Sequence, residues 1–260
     1  MNAIKKLFSI YLLFFILFSL SVEAREEIIL TIPKSGTHYL KIILENITES
    51  HVITPTLVDS YIQDYTESRN CKDTIVIGHC EPLMIKKLPN SENLFLLIRD
   101  PRDVALSAID FIDNKGLAVW PSLSTIINYN QWILLSKKEK LLLILEDFYD
   151  DRKVTISSLF ETAINLCSLK NCLIVKYEQL SPEQNNFVDL FATIKNISSF
   201  LGISIDETKA KDVIEKSFRN KNSRTYNKGN AYRYLEEDIE VLDLLESKLK
   251  KYIDFFIYSY

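Results

Sequence analysis

Residues 33–38 read Pro-Lys-Ser-Gly-Thr-His, between the apolar run EIILTI (27–32) and the amphipathic stretch THYLKIILENI (37–47). These residue types in this order suit an anion. A strand that ends at Ile32, a loop that turns at Gly36 and a helix that starts near Thr37 would leave the first helical N–H groups unpaired. Those groups and the helix dipole favour phosphate oxygens. Lys34 adds a mobile positive charge, and Ser35, Thr37 and His38 add side-chain donors. The loop is not that of a nucleoside-triphosphatase, GxxxxGK[ST], because here the lysine precedes the glycine and Thr31 stands five positions before Gly36. A second segment, LLIRDPRDVALSAIDF (96–111), repeats the idea: Arg99 follows an apolar run, Asp100 is placed to cap a helix, and Pro101 takes its first position. An arginine at a strand end beside a helix start is a second anion site, with Ser107 two turns further on. Two such sites on one sheet point to a nucleotide with phosphate groups at both ends.

The elements that must position these residues are legible as runs. EIILTI (27–32), DTIVIG (73–78), NLFLLI (93–98) and CLIVKY (172–177) are rich in Ile, Leu and Val without clean alternation, the pattern of parallel strands covered on both faces. Helix-like stretches lie between them: 37–47, 101–112, most of 121–168, and 189–203 ending near Gly202 as a C-cap. An amphipathic tail occupies 235–256. Strands alternating with helices predict an α/β fold, a P-loop-like doubly wound parallel sheet in a single domain over 25–260. The 47% hydrophobic content supplies a core, and the net charge of -4 argues against a nucleic-acid-binding surface while allowing a local anion pocket. Lys5 and Lys6, the apolar stretch LFSIYLLFFILFSLSV and the small residues Val22 and Ala24 read as a signal peptide over 1–24. Left uncleaved, the segment would be a membrane anchor, although its 16 apolar residues are fewer than the roughly 20 of a spanning helix. The chain is thus expected in an exported or lumenal compartment. There its four cysteines, Cys71, Cys80, Cys167 and Cys172, can form disulfides, with Cys167 and Cys172 the expected pair. They show no metal-ligand spacing.

The two anion segments together resemble the sulfotransferase family, which uses 3′-phosphoadenosine 5′-phosphosulfate as donor. PKSGTHYL is similar to that family's PKSGTTW loop for the 5′-phosphosulfate, and RDPRDVALS to its 3′-phosphate segment. GHCEPLMIKKLPN (78–90) resembles the segment carrying the catalytic histidine, here His79. IVKYEQL (174–180) resembles the stretch whose tyrosine, Tyr177, approaches the nucleotide. SFRNKNSRTYNKGNAYRY (217–234) is similar to the C-terminal region from the adenine-stacking phenylalanine, Phe218, to an R-K-G turn. The resemblance covers about residues 27–234. It implies a donor site made of Lys34, Ser35, Gly36, Thr37, His38, Tyr39, Arg99, Ser107, Tyr177, Phe218, Lys228 and Gly229. It also implies catalysis by His79 and Lys34 without a metal.

In that chemistry His79 would take the proton of the acceptor, as an imidazole titrating near 6.5 suits a base at neutral pH. Lys34 would stabilise charge on the bridging oxygen as it leaves. The acceptor would be a small molecule, a glycan or a peptide bearing a hydroxyl or amine. There are departures from the family pattern. Asn227 stands where R-K-G has its arginine, Tyr232 and Tyr234 replace a later glycine and tryptophan, Ile77 replaces a lysine two residues before the histidine, and Tyr39 replaces the loop's tryptophan. They motivate an alternative, a non-catalytic nucleotide-binding relative. A small P-loop kinase or nucleotide phosphatase is disfavoured by the loop order and by Arg99 where an acidic Mg²⁺ ligand would stand. Tyr61, Tyr65, Phe111, Trp120, Tyr129 and Trp132 are candidates for an acceptor pocket or for the core.

Overall fold

The computed structural model describes residues 27–54, 58–68, 74–88, 93–145, 154–219 and 231–257. In chain order the elements are β1 (Ile28–Thr31), α1 (Thr37–Thr48), β2 (His51–Ile53), α2 (Val58–Ser68), β3 (Thr74–His79) and α3 (Met84–Lys87). Next come β4 (Leu94–Ile98), α4 (Pro101–Lys115), a 3-10 turn (Leu117–Val119), α5 (Pro121–Ser124), α6 (Tyr129–Trp132), α7 (Lys137–Leu145), α8 (Ile156–Leu169) and β5 (Cys172–Lys176). The rest are α9 (Tyr177–Leu180), α10 (Phe187–Phe200), α11 (Glu207–Arg219), a second 3-10 turn (Arg233–Glu236) and α12 (Ile239–Phe255). The strands form one parallel sheet in the order β2-β3-β1-β4-β5.

The apolar strand runs arise because both faces are covered. Ile28, Leu30, Leu94, Leu96 and Ile98 pack against α4, α7, α8 and α12 on one side. Ile29, Phe95, Leu97 and Val175 pack against α1, α10 and α11 on the other. With every position inside, the alternation that marks a half-exposed strand disappears. β1 leads to β2 on one side of the sheet and β4 leads to β5 on the other, so a crevice opens between β1 and β4 at the strand C-termini, where such sheets bind ligands.

Four differences from the sequence expectations have local causes. The strand over 73–78 runs one residue further, so His79 is its last member and pairs with Thr31. Tyr177 is not in β5 but opens α9, because Gln179 accepts from the Lys176 N–H at 2.9 Å and closes a turn there. The tail is not one helix from 235: Asp238 caps α12 by accepting from Val241 N, which ends the preceding 3-10 turn. β2 was not foreseen. Gly202 does lie just past the end of α10, at φ 70. Cys80 is buried, while Cys167 in the last turn of α8 and Cys172 at the start of β5 face each other as thiols with Sγ atoms 2.8 Å apart. Cys71 and the N-terminal segment 1–24 lie outside the described residues. No helix among the described residues is long and apolar enough to cross a membrane.

Candidate active site

The loop after β1 is built on two left-handed residues. Ser35 N donates to Ile32 O at 3.0 Å, closing a tight turn, with Lys34 at φ 70 and Gly36 at φ 91. The glycine was expected; the lysine in that region was not. A non-glycine residue held there costs about 1–3 kcal/mol and persists only where its surroundings impose it. Here the turn directs the Lys34 ammonium over the Phe111 ring, 3.8 Å from its centroid, a cation–π contact. Burial and the neighbouring Arg99 guanidinium lower the Lys34 pKa to about 8, opposed by Asp110. α1 begins at Thr37 after Gly36, an N-cap with no side chain to bond its first N–H groups, which leaves them for an acceptor from outside the helix. Ser35 is fully buried and its Oγ has no hydrogen-bond partner among the described residues. An orphaned buried hydroxyl is costly, and an anion seated in the loop would satisfy it.

On one side of β1, His79 closes β3. Its Nδ1 is 3.1 Å from Thr31 Oγ1, which is itself 2.8 Å from Thr37 Oγ1. Burial lowers the His79 pKa to about 4; a hydrogen bond to the Thr31 backbone opposes this, and His38 and Lys34 add to it. The imidazole is therefore neutral at pH 7, further below its ordinary value than expected from the sequence. His38, in the first turn of α1, keeps much of its surface in solvent, yet partial desolvation of its ring, with Lys41 and Lys34 adding to it, also shifts its pKa down. Ile77, where a lysine was noted as missing, is buried in the core facing α1.

On the other side, Arg99 follows β4 and is buried. Its Nη2 donates to Asp103 Oδ2 at 2.9 Å, and its guanidinium lies over the Tyr177 ring, 4.9 Å from the centroid. The same ring closes the floor of the loop: a Cβ on Gly36 would meet Tyr177 Cδ2 at 2.6 Å. Tyr39 packs edge-on against Tyr177 and donates its hydroxyl to Leu180 O. Tyr177 thus stands between the two anion segments. A glycine pressed by a ring and an orphaned serine make a cradle that fits a phosphate group.

Asp100 is the N-cap expected from sequence, but several of the contacts and residues that hold this frame were not singled out there. Asp103, fully buried, accepts from Arg99 and from Tyr234 N. Asp100 caps α4 through Arg102 N and also takes the Arg102 side chain, which reaches Glu246 and lies over Tyr234. Glu178 Oε1 accepts from Asp100 N at 3.0 Å, tying α9 to the start of α4. An arginine or aspartate at (i, i+4) is visible in a sequence, but the links to Tyr234, Glu246 and Glu178 cross from 78 to 144 residues and are not. Ser107 lies on the buried face of α4. Tyr65 and Trp132 are core, Tyr129 is exposed, and Phe111 is the aromatic that meets the site. Phe218 falls in α11, and Asn227, Lys228 and Gly229 lie outside the described residues. Among the described residues no group of three His, Cys, Asp or Glu is placed to hold a metal.

A family model described as "Sulfotransferase domain" matches residues 25–243. The fold is similar to that of the mouse sulfotransferase SULT7A1, crystallised complexed with PAP, at TM-score 0.60 and 16% identity, with 89% of this chain and 86% of that one covered. A search of curated proteins returns no match. With a match that spans most of its length and the sheet to go with it, the chain belongs to the sulfotransferase family and is a sulfotransferase enzyme.

Proposed function

We propose that the protein transfers a sulfuryl group from 3′-phosphoadenosine 5′-phosphosulfate to the hydroxyl or amine of a small-molecule, glycan or peptide acceptor, in an exported or lumenal compartment. The observation that supports this is geometric: His79, Lys34 and Arg99 follow the C-terminal ends of the adjacent strands β3, β1 and β4, and the Tyr177 ring lies against both Gly36 of the loop and the Arg99 guanidinium. The bound donor would supply an activated sulfuryl group whose bond to the bridging oxygen breaks as the bond to the acceptor forms. Ser35, Gly36, Thr37, His38 and Tyr39 hold the 5′ end through backbone N–H groups and hydroxyls. Arg99 and Ser107 hold the 3′-phosphate and Tyr177 and Phe218 the adenosine; the family resemblance adds Lys228 and Gly229, outside the described residues, to the donor site. Lys34 places its ammonium where charge develops, worth more in a partly dry site than in water. His79, neutral and anchored through Nδ1, accepts the acceptor's proton on Nε2. Its pKa in the empty protein makes it a weak base; a bound dianion beside it raises that value toward neutrality.

The compartment rests on the N-terminal sequence 1–24, and membrane attachment follows only if that segment stays uncleaved. The experiment is calorimetric titration with adenosine 3′,5′-bisphosphate, followed by a labelled-sulfate transfer screen of glycans, peptides and phenols. Micromolar bisphosphate binding with transfer to at least one class supports the reading; absence of binding overturns it.

A further inference from the structure

We propose that an anion in the phosphate loop sets the tautomer of His79 through a chain of two hydroxyls, Thr37 to Thr31 to Nδ1, which makes Thr31 a positioning residue for the base. This coupling presupposes that His79 is the base, as read above. Thr31 is fully buried at the end of β1. Its Oγ1 lies 2.8 Å from Thr37 Oγ1, 3.1 Å from His79 Nδ1 and 3.4 Å from Gly78 O. A threonine hydroxyl has one proton to give and two lone pairs. A neutral imidazole has one N–H, and it can accept a proton on Nε2 only if that hydrogen sits on Nδ1.

Two senses of the chain satisfy these rules. In the first, Thr37 donates to Thr31, Thr31 donates to Nδ1, and the ring hydrogen is on Nε2, where it blocks proton acceptance. In the second, Nδ1–H donates to Thr31, whose backbone also hydrogen-bonds the ring, Thr31 Oγ1 donates to Thr37 or to the Gly78 carbonyl, and Nε2 is bare. Phosphate and sulfate oxygens only accept at neutral pH. An anion in the loop therefore claims the Thr37 hydroxyl hydrogen, and the first sense is lost. Thr37 must then accept from Thr31, Thr31 must accept from Nδ1–H, and Nε2 is armed. The proton taken from the acceptor goes to Nε2, giving imidazolium with Nδ1–H still on Thr31. No proton crosses the chain; it only orients. The base is ready when the donor is in place, which limits unproductive proton exchange in the empty enzyme.

The chain has three histidines, His38, His51 and His79, so ¹⁵N-imidazole NMR is tractable, with His38→Gln and His51→Gln variants for assignment. Adenosine 3′,5′-bisphosphate should move His79 from a tautomer mixture to the Nδ1–H form. In Thr31→Val the tautomer should ignore the nucleotide, and turnover should fall about two- to tenfold, the equivalent of one neutral hydrogen bond. Bisphosphate affinity should change less than about twofold, since Thr31 acts through another residue. Thr31→Ser should restore both signals. A His79 tautomer that is the same with and without nucleotide in the unmodified protein overturns the coupling, as does a Thr31→Val protein whose tautomer still responds. If bisphosphate does not bind, or His79→Ala keeps full turnover, the reading of the site falls and this inference with it. Loss of turnover in His79→Ala alongside an unresponsive tautomer removes only the inference.

Discussion

Alanine at position 36 tests how the phosphate loop is held open. Its Cβ would lie 2.6 Å from Tyr177 Cδ2 and 2.8 Å from Cε2, well inside the ~3.5–4.0 Å at which carbon atoms attract. The backbone there is at φ 91, ψ 30, in the left-handed region, where an L-residue pays about 1–2 kcal/mol. Forcing a methyl into a packed site adds about 1–3 kcal/mol. Tyr177 has little room to yield, with the Arg99 guanidinium over its ring, Tyr39 against its edge, and β5 ending at the preceding residue. The expected loss is the sum, about 2–5 kcal/mol, read by urea unfolding. A cycle with Tyr177→Leu separates the parts. The double variant should recover the steric term, a favourable coupling of about 1–3 kcal/mol, and keep the backbone term. Bisphosphate affinity should fall in Gly36→Ala, because relief of the contact moves the loop N–H groups. A Gly36→Ala protein within about 0.5 kcal/mol of the unmodified one, the range of an ordinary surface change, would refute the close packing of Tyr177 on the loop.

His79→Ala should lower turnover by ~10²–10⁴-fold with bisphosphate affinity nearly unchanged, measured by sulfate transfer and calorimetry side by side. Arg99→Ala should weaken adenosine 3′,5′-bisphosphate by about 1.5–3 kcal/mol and leave a nucleotide lacking the 3′-phosphate almost unaffected. It should also cost about 3–5 kcal/mol of stability, because Asp103 is left buried without its cation. For Lys34 the folded pKa, about 8, lies below the ordinary 10.5, so its charged form is disfavoured in the fold at neutral pH. Stability should therefore rise as pH goes from 8 to 10.5, a rise absent in Lys34→Met. Bisphosphate binding near pH 8 should take up a proton that Lys34→Met does not, seen by calorimetry in buffers of different ionisation enthalpy. The hydrogen bond between Cys167 and Cys172 holds the Cys167 thiol below its usual value and, with burial, pushes that of Cys172 up. In oxidised protein these two should resist alkylation until reduced while Cys80 reacts once the protein is denatured; two free thiols at 167 and 172 by mass spectrometry would rule the pairing out.

What the sequence shows of this molecule follows the range of the forces involved. Four of the strands are legible because burial on both faces leaves a local record, an unbroken apolar run. β2 is not, since it is a three-residue edge strand with only Val52 buried, too short to write a pattern. The two anion segments are legible for a similar reason: strand, tight turn and helix start are consecutive in the chain, so the chemistry of Lys34, Gly36 and Thr37, and of Arg99 and Pro101, is carried by neighbours. The link from Thr31 to His79 spans 48 residues and exists only because β1 and β3 are adjacent with Thr31 opposite His79. Nothing in either segment announces it; moving β3 by one residue would turn the imidazole to the other face of the sheet. The same holds for Tyr177 under Gly36. Both contacts depend on strand register, and both separate a loop that merely contains the right residues from one that holds a base and a phosphate at one edge. The acid–base part of the site is accordingly the part most exposed to small errors of register, so an insertion or cavity-forming change at Ile77, in the strand that carries His79 and not in those that lead to Lys34 or Arg99, should depress turnover more than bisphosphate affinity.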